Sequence, residues 1–450
     1  MKILGIIAEY NPFHLGHAWQ IQTSKKESQC DAVMVLMSGS LTQRGEFAIL
    51  NKWERARLAL TAGVDLVCEL PFGYACQSAE TFAHGGIKIF NATGVIDVLS
   101  FGSEFGHIRP LNNLAEILVQ EPAEFKNFLK LELATGVSFP RARELAIRSY
   151  LGHEASNLLK TPNNILALEY LKALHKTQST IDSMTVKRQG ADYHSVLPSK
   201  YLSASGIRSI LKDALVHPES ATAILRSLDN RLPYLPELLI NSFNKNYNLQ
   251  GDDYFLNALR LQILSHDVHH LRNTPYVNEG LEHKIRDALK IATSLDECVN
   301  KIISKRIPQT RVRRILCNRL LELDKESLNL FQADSFVPYL RVLGFNQTGA
   351  AILKAIKNQG RLLILSSLKK SRFNLTPLQK KCSITIAGPL TFIINFTKPC
   401  IAIIRITHRV RFKDHPKLGL PINNTLLAIV NKVPYSGLLS QFKGECYAFF

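Results

Sequence analysis

Short continuous apolar runs separated by amphipathic helices fill the first 110 residues, and this alternation constrains the fold more than any other feature of the chain. Residues 3–9 (ILGIIAE) read as a strand and 16–26 as a helix. Residues 31–38 (DAVMVLMS) read as a strand, and 51–62 (NKWERARLALTA) as an amphipathic helix. A strand at 65–70, a helix at 78–91 and a strand at 96–101 continue the series. Strands that are apolar throughout must be covered on both faces, which predicts an α/β fold, a doubly wound parallel sheet. Such sheets bind ligands beyond the carboxyl ends of their strands, where the strand order reverses. From 111 to 174 the pattern is helical, and 183–190 (SMTVKRQG) predicts one more strand. A first domain is expected over 1–210, an almost wholly helical, basic domain over 211–372 and a divergent tail over 373–450.

The first strand runs into AEYNPFHLGH, residues 8–17. His14 and His17 flank Gly16, and three readings compete for them. Metal ligation lacks a nearby Cys, Asp or Glu to complete a site, and Pro12 and Gly16 mark a turn. One His capping a helix while the other packs is the default for isolated histidines. Phosphate binding is the third: a helix start offers unpaired N–H groups and partial positive charge, and glycine lets a phosphate approach the backbone. The imidazoles would then donate to phosphate oxygens as charge builds in an adenylyl-transfer transition state. H-x-G-H is a short match, but its place after the first strand of a doubly wound sheet strengthens it. Far downstream, SASGIR (203–208) sets small hydroxyls before a helix whose first turn carries Arg. An ordinary cap by Ser203 or Ser205 is the competing reading.

On these motifs the chain resembles the bacterial tRNA(Met) cytidine acetate ligases of the nucleotidyltransferase α/β superfamily. The matching blocks are EYNPFHLGH, MSGSLTQRGEFA (37–48), KWERARLALTAGVDLVCELP (52–71), QSAETFAHGG (77–86), FGSE (101–104), PNNILALEYLKAL (162–174), VKRQGADYH (186–194) and SASGIR. SKRIPQTRVRR (304–314) and VPYLRVLGFNQTG (337–349) follow in the helical half, so the resemblance covers roughly residues 1–370. It implies two steps. Acetate attacks the α-phosphate of ATP to give acetyl-adenylate and pyrophosphate; the N4 amine of the wobble cytidine (C34) of elongator tRNA(Met) then takes the acetyl group.

The resemblance also implies the site. Ile7, Ala8, Glu9, Tyr10, Asn11, Pro12, Phe13, His14, Leu15, Gly16, His17, Ala18, Trp19 and Gln20 would wrap ATP, with His14 and His17 catalytic and Mg2+ bridging the phosphates. Gly102 would let adenine or ribose lie against the backbone. Asn163 and Arg188 match further ATP contacts, and Ser205 and Arg208 are the candidates for the closing motif. Gln43 and Arg44 could hold acetate or pyrophosphate, or order a loop. Each has a plainer alternative: Gly102 ends a strand, Asn163 caps a helix, Arg188 pairs with an acid.

Charge points to the partner. With 55 Lys and Arg against 37 Asp and Glu, the net +18 favours a polyanion. Lys305, Arg306, Arg311, Arg313 and Arg314 cluster without interleaved acids and are expected to meet the tRNA backbone, a solvated helix face being the competing reading. An unpaired anticodon loop offers its bases without the cost of breaking a duplex. HDVHHL (266–271) reads as surface histidine. The eight cysteines form no C-x-x-C pair, which speaks against structural zinc or a disulfide framework. No signal peptide and no apolar run of membrane-spanning length is visible, so a cytoplasmic protein is expected. From about residue 375 no family block is recognised; over 376–450 ten basic residues meet two acidic ones. That stretch reads either as a divergent extension or as a reading-frame artefact. The rival functions are a nucleotidylyltransferase acting on a small phosphorylated metabolite and a catalytically inactive RNA-binding homologue.

Overall fold

The computed structural model describes residues 1–188, 203–216, 251–278, 280–304, 307–333 and 335–366. The tail expected at 373–450, and Lys305 and Arg306, lie outside the described residues.

A seven-stranded sheet carries the fold, in the order β5-β4-β1-β2-β3-β6-β7. Its strands are β1 (Ile3–Ala8), β2 (Ala32–Ser38), β3 (Leu66–Leu70), β4 (Val98–Ser103), β5 (Asp182–Lys187), β6 (Leu340–Phe345) and β7 (Ile364–Leu365). The first five are parallel to one another. The chain lays β2 and β3 on one side of β1, then crosses to place β4 and β5 on the other. The strand order therefore reverses between β1 and β4, which opens a crevice at their carboxyl ends.

Every residue of β2 is buried, and its side chains divide by parity. Ala32, Met34 and Leu36 enter the larger apolar cluster, while Val33, Val35 and Met37 enter the smaller. This two-sided burial is why the strands read as unbroken apolar runs. Helix Ala79–Thr93 covers one face at close range: a Cβ on Gly86 would lie 2.3 Å from Ile7 Cδ1, so glycine sets the distance of this helix from β1. Helix Leu15–Ser28 lies on the other face, where Ile21 joins the smaller cluster.

Two strands were not foreseen. β6 pairs antiparallel with β3 and β7 parallel with β6, so residues expected in an almost wholly helical stretch complete the sheet. LRVLGF is six residues long, mostly apolar with Arg341 near its start, and too short for periodicity to separate a buried strand from a helix turn. The rest of the described second half is helical, including Leu281–Ile291, Leu295–Ile302, Gln309–Leu320 and Lys325–Gln332. It packs on the helices that cover the sheet: the Phe331 ring meets Tyr74 edge-on at 5.0 Å, and Lys88 Nζ donates to the Phe331 carbonyl at 3.2 Å. Among the described residues no helix is long and apolar enough to cross a membrane, and the described cysteines are buried free thiols.

Candidate active site

β1 ends in a turn where Tyr10 adopts φ 49°, a left-handed conformation uncommon for a bulky residue. The turn sinks the Tyr10 and Phe13 rings, 4.8 Å apart, under the helix that follows. His14 caps that helix. Its Nδ1 accepts from the Gly16 N–H at 3.1 Å, and the His17 Nδ1 accepts from the His14 N–H at 3.3 Å. The two imidazoles thus form the reciprocal cap that Ser/Thr and Glu/Gln usually make. Gly16 is what lets the His14 ring fold back, because a Cβ there would stand 2.9 Å from the ring's Cε1. The rings stack with centroids 3.7 Å apart and 22° between planes. A ring nitrogen that accepts a hydrogen bond carries no proton, so the network assigns both protons to Nε2. Burial, with the Arg188 charge as a second cause, lowers His14 to about 3. Burial also takes His17 well below its ordinary value, assisted by His14 and Arg188. Near neutral pH the site presents two uncharged Nε2–H donors at the head of a helix, an arrangement able to donate to phosphate oxygens.

The far wall of the crevice comes from β4, β5 and helix Pro162–Lys176. Gly102, near the end of β4, lies under the Arg188 stem: a Cβ there would be 3.4 Å from Arg188 Cγ. Arg188 donates to Asn163 Oδ1 at 3.2 Å. Asn163 is held in turn by Glu104, which takes its side-chain amide at 2.6 Å and its backbone N–H at 3.2 Å. Glu104 further accepts from the Asn164 N–H at 2.8 Å and the Thr161 hydroxyl at 3.0 Å, so one carboxylate from the β4 loop caps the whole helix start. Burial would raise this carboxyl; the Asn163, backbone and Thr161 bonds outweigh it and hold it below its ordinary value. Asn163 thus sits at a helix start, as its plainer reading has it, and also touches Arg188. The sequence reading singled out Gly102 in FGSE and missed Glu104, whose signal was an acid at a strand end without a local partner.

The near wall is a loop, residues 39–50, folded over the β1 turn. The Glu9 carboxylate accepts from the Gln43 N–H at 2.6 Å, and Asn11 Oδ1 accepts from the Ile49 N–H at 2.8 Å. Burial raises the Glu9 carboxyl, opposed by that amide bond and by the charges of Arg55, Arg44 and Arg208. Beneath the loop, fully buried Arg55 donates to the carbonyls of Leu50 (3.1 Å), Glu9 (2.6 Å), Ser38 (3.1 Å) and Gly39, tying together the carboxyl ends of β1 and β2. Arg55 was also overlooked, although an arginine on the apolar stripe of an amphipathic helix was a visible signal. From the SASGIR helix, Ala204–Val216, Arg208 donates to the Asn11 carbonyl at 2.9 Å. Ser203 and Ser205 share a 3.0 Å hydroxyl contact, and Ser203 takes the Gly206 N–H as cap. Of the other residues in the segment, Ile7 and Pro12 are buried, while Ala8, Leu15, Ala18, Trp19 and Gln20 are half-buried.

The basic helix Gln309–Leu320 is joined to this wall. Arg314 donates to the Gln43 carbonyl at 3.1 Å, and Gly45, at φ +74°, lies so close to the Arg313–Arg314 backbone that a Cβ would meet it at 2.7 Å. Arg313 is buried in an ion pair with Asp296, and Arg311, half-buried, donates to the Tyr276 carbonyl at 3.3 Å.

This geometry is matched among known proteins. A family model described as HIGH nucleotidyl transferase matches residues 1–396. A tRNA(Met) cytidine acetate ligase of Thermoanaerobacter sp. (strain X514) is 40% identical over 380 residues, covering 84% of this chain and 91% of the relative. Another of that name from Clostridium novyi (strain NT) is 42% identical over 375 residues, covering 82% and 91%. The chain belongs to the tRNA(Met) cytidine acetate ligase family. The structure of Thermotoga maritima TmcAL bound with alpha-thio ATP matches at TM-score 0.75 and 30% identity, covering 88% of this chain and 94% of that one. The apo form of the same protein matches at TM-score 0.78 and 29% identity, covering 89% and 96%. A doubly wound nucleotidyltransferase domain with an appended helical region is thus the family's architecture, and the acetate ligase resemblance read from the sequence holds.

Proposed function

We propose that this chain activates acetate with ATP and acetylates N4 of the wobble cytidine (C34) of elongator tRNA(Met). The observation that carries this reading is the stacked, neutral His14–His17 pair at the head of the helix after β1, facing Arg188. Acetate and a polyphosphate repel each other, so the protein must offset charge and hold an in-line geometry. The two Nε2–H groups and the helix N-terminus would take the phosphate oxygens. Arg188, held by Asn163, would take charge from the other side, and Gly102 would leave room for the nucleoside. Ser205 and Arg208 would close the β1 turn over the nucleotide, the segment from Ile7 to Gln20 forming its bed.

An acetate oxygen bonds to the α-phosphorus as the bond to pyrophosphate breaks. The N4 amine of cytidine then attacks the acetyl carbon; AMP leaves and the amine gives up a proton. Mg2+ would enter with the substrate ATP, since among the described residues no group of three His, Cys, Asp or Glu side chains gathers to hold a metal. Lys305, Arg306, Arg311, Arg313 and Arg314 would position RNA. Of these, Arg311 is the one described residue free of both the Asp296 pair and the 39–50 loop, so it is the best placed for direct phosphate contact. Residues 1–210 would form the catalytic unit and 211–372 the RNA-facing one, in the cytoplasm, where tRNA is.

The test is to incubate the protein with ATP, labelled acetate and total tRNA, then digest to nucleosides and analyse by mass spectrometry. Labelled N4-acetylcytidine is expected. Label in a nucleotide-linked small metabolite would favour a nucleotidylyltransferase, and no label at all an RNA-binding protein without catalysis.

A further inference from the structure

We propose that Trp53 is a stacking platform for an unpaired nucleobase of the RNA that the enzyme acetylates. This rests on the function proposed above and adds a recognition surface to it. Trp53 sits in the first turn of helix Lys52–Thr61 and is 43% exposed, an unusual place for a large aromatic side chain. Two cations lie over its ring, Lys52 Nζ at 5.7 Å and the Arg341 guanidinium at 5.5 Å. Both cations are tied to one buried carboxylate. Glu69, 2% exposed, binds Lys52 Nζ through both oxygens at 2.8 Å and Arg341 at 3.1 Å. Two cations against one carboxylate leave local positive charge beside the indole. Arg57, exposed one turn further along the same helix, extends it on the Trp53 side.

The position fits the occupant. Arg55, two residues on from Trp53, donates to the Glu9 carbonyl in the β1 turn at 2.6 Å. Residues two apart lie about 200° apart around a helix, so Trp53 stands on the outer face of the helix whose inner face holds the β1 turn. Arg341, the second residue of β6, pairs with Glu69 near the carboxyl end of β3, so the platform lies toward the same edge of the sheet as the crevice. A base must leave its stack to reach the crevice, and its neighbours then need a surface to replace lost stacking. An exposed indole flanked by these cations supplies stacking and phosphate attraction together. A purely apolar partner would gain nothing from Arg57 and Arg341, so the charge favours RNA.

Two reactions with the full chain test this. Acetate-dependent exchange of pyrophosphate into ATP, run without RNA, reads the first step; the KM for tRNA in acetyl transfer reads recognition. Trp53→Leu keeps apolar cover over the Lys52–Glu69–Arg341 cluster but cannot stack, and Trp53→Tyr can. The tRNA KM is expected to rise roughly 5- to 100-fold in Trp53→Leu, and by less than about threefold in Trp53→Tyr. Exchange should stay within about twofold of wild type in both. An unchanged KM in Trp53→Leu overturns the proposal. A parallel fall in exchange and melting temperature does so too, since that is the behaviour of a structural lid. If wild-type protein transfers no acetyl group, the failure lies with the proposed function. Stacking is then read from tryptophan fluorescence, which an anticodon stem-loop RNA should quench in wild type but not in Trp53→Leu; equal quenching in both overturns it.

Discussion

At the scale of single residues, the two ring nitrogens of His14 and of His17 can be considered separately. The Nδ1 atoms cap the helix, whereas the Nε2–H groups are the candidates for phosphate. His14→Asn keeps a cap acceptor but is too short to place a donor where the Nε2–H lies, so its stability should stay within about 0.5 kcal/mol of wild type. Acetate-dependent pyrophosphate exchange should fall by roughly 100-fold or more, the usual loss when a transition-state donor is removed. His14→Ala should show the same loss of exchange and also cost about 1 kcal/mol in urea unfolding, because the Gly16 N–H loses its partner. The pair makes stability depend on pH as well. Folding lowers His14 from 6.5 to about 3, so between those values the unfolded chain binds a proton that the folded chain refuses. Stability therefore falls as pH drops through this window and is level above it, with a slope approaching about 1.4 kcal/mol per pH unit for one histidine. His17 shifts in the same direction. Urea midpoints at pH 4.5 and 7.0 should differ more in wild type than in a His14→Asn, His17→Asn double variant.

At the scale of elements, the site depends on residues that reach between strands and helices. Glu104 leaves the end of β4 to cap helix Pro162–Lys176 and, through Asn163, steadies Arg188. Glu104→Ala is expected to cost about 1–2 kcal/mol in thermal unfolding and to raise the KM for ATP in pyrophosphate exchange more than it lowers kcat, since an unheld Arg188 weakens binding in ground and transition states alike. Arg55 ties four carbonyls at the strand ends, and Arg55→Met should destabilise by about 3 kcal/mol or more, visible as a lower urea midpoint, because those buried acceptors lose their donor. Both elements were legible as secondary structure in the sequence. Their cross-ties were not: hydrophobic periodicity reports which face is covered and says nothing about a polar side chain that crosses to another element.

At the scale of the molecule, the basic second half and the nucleotide half meet through loop 39–50, which bonds to Glu9 on one side and Arg314 on the other. Net charge of +18 predicts tRNA affinity that falls steeply with salt. Arg311→Ala should lower the slope of log affinity against log salt by roughly one, while leaving base preference unchanged. A filter-binding series across salt concentrations would check it, and an unaltered slope would remove Arg311 from the RNA contacts. The added strands β6 and β7 belong to this scale too. β6 covers the edge of β3, so the segment around residue 340 finishes a sheet begun at residue 3.

What the sequence by itself determined is the layered α/β architecture of the first 190 residues, the crevice at its strand ends and the place of the histidine pair. These follow from local rules: apolar runs must be buried, and a glycine beside a histidine marks a tight helix entry. Tertiary structure decided the rest. Short segments such as LRVLGF take their conformation from the strand they meet, and the roles of Glu104, Arg55 and Trp53 arise from partners far apart in the chain. Such roles are set by contact geometry, which no local pattern encodes.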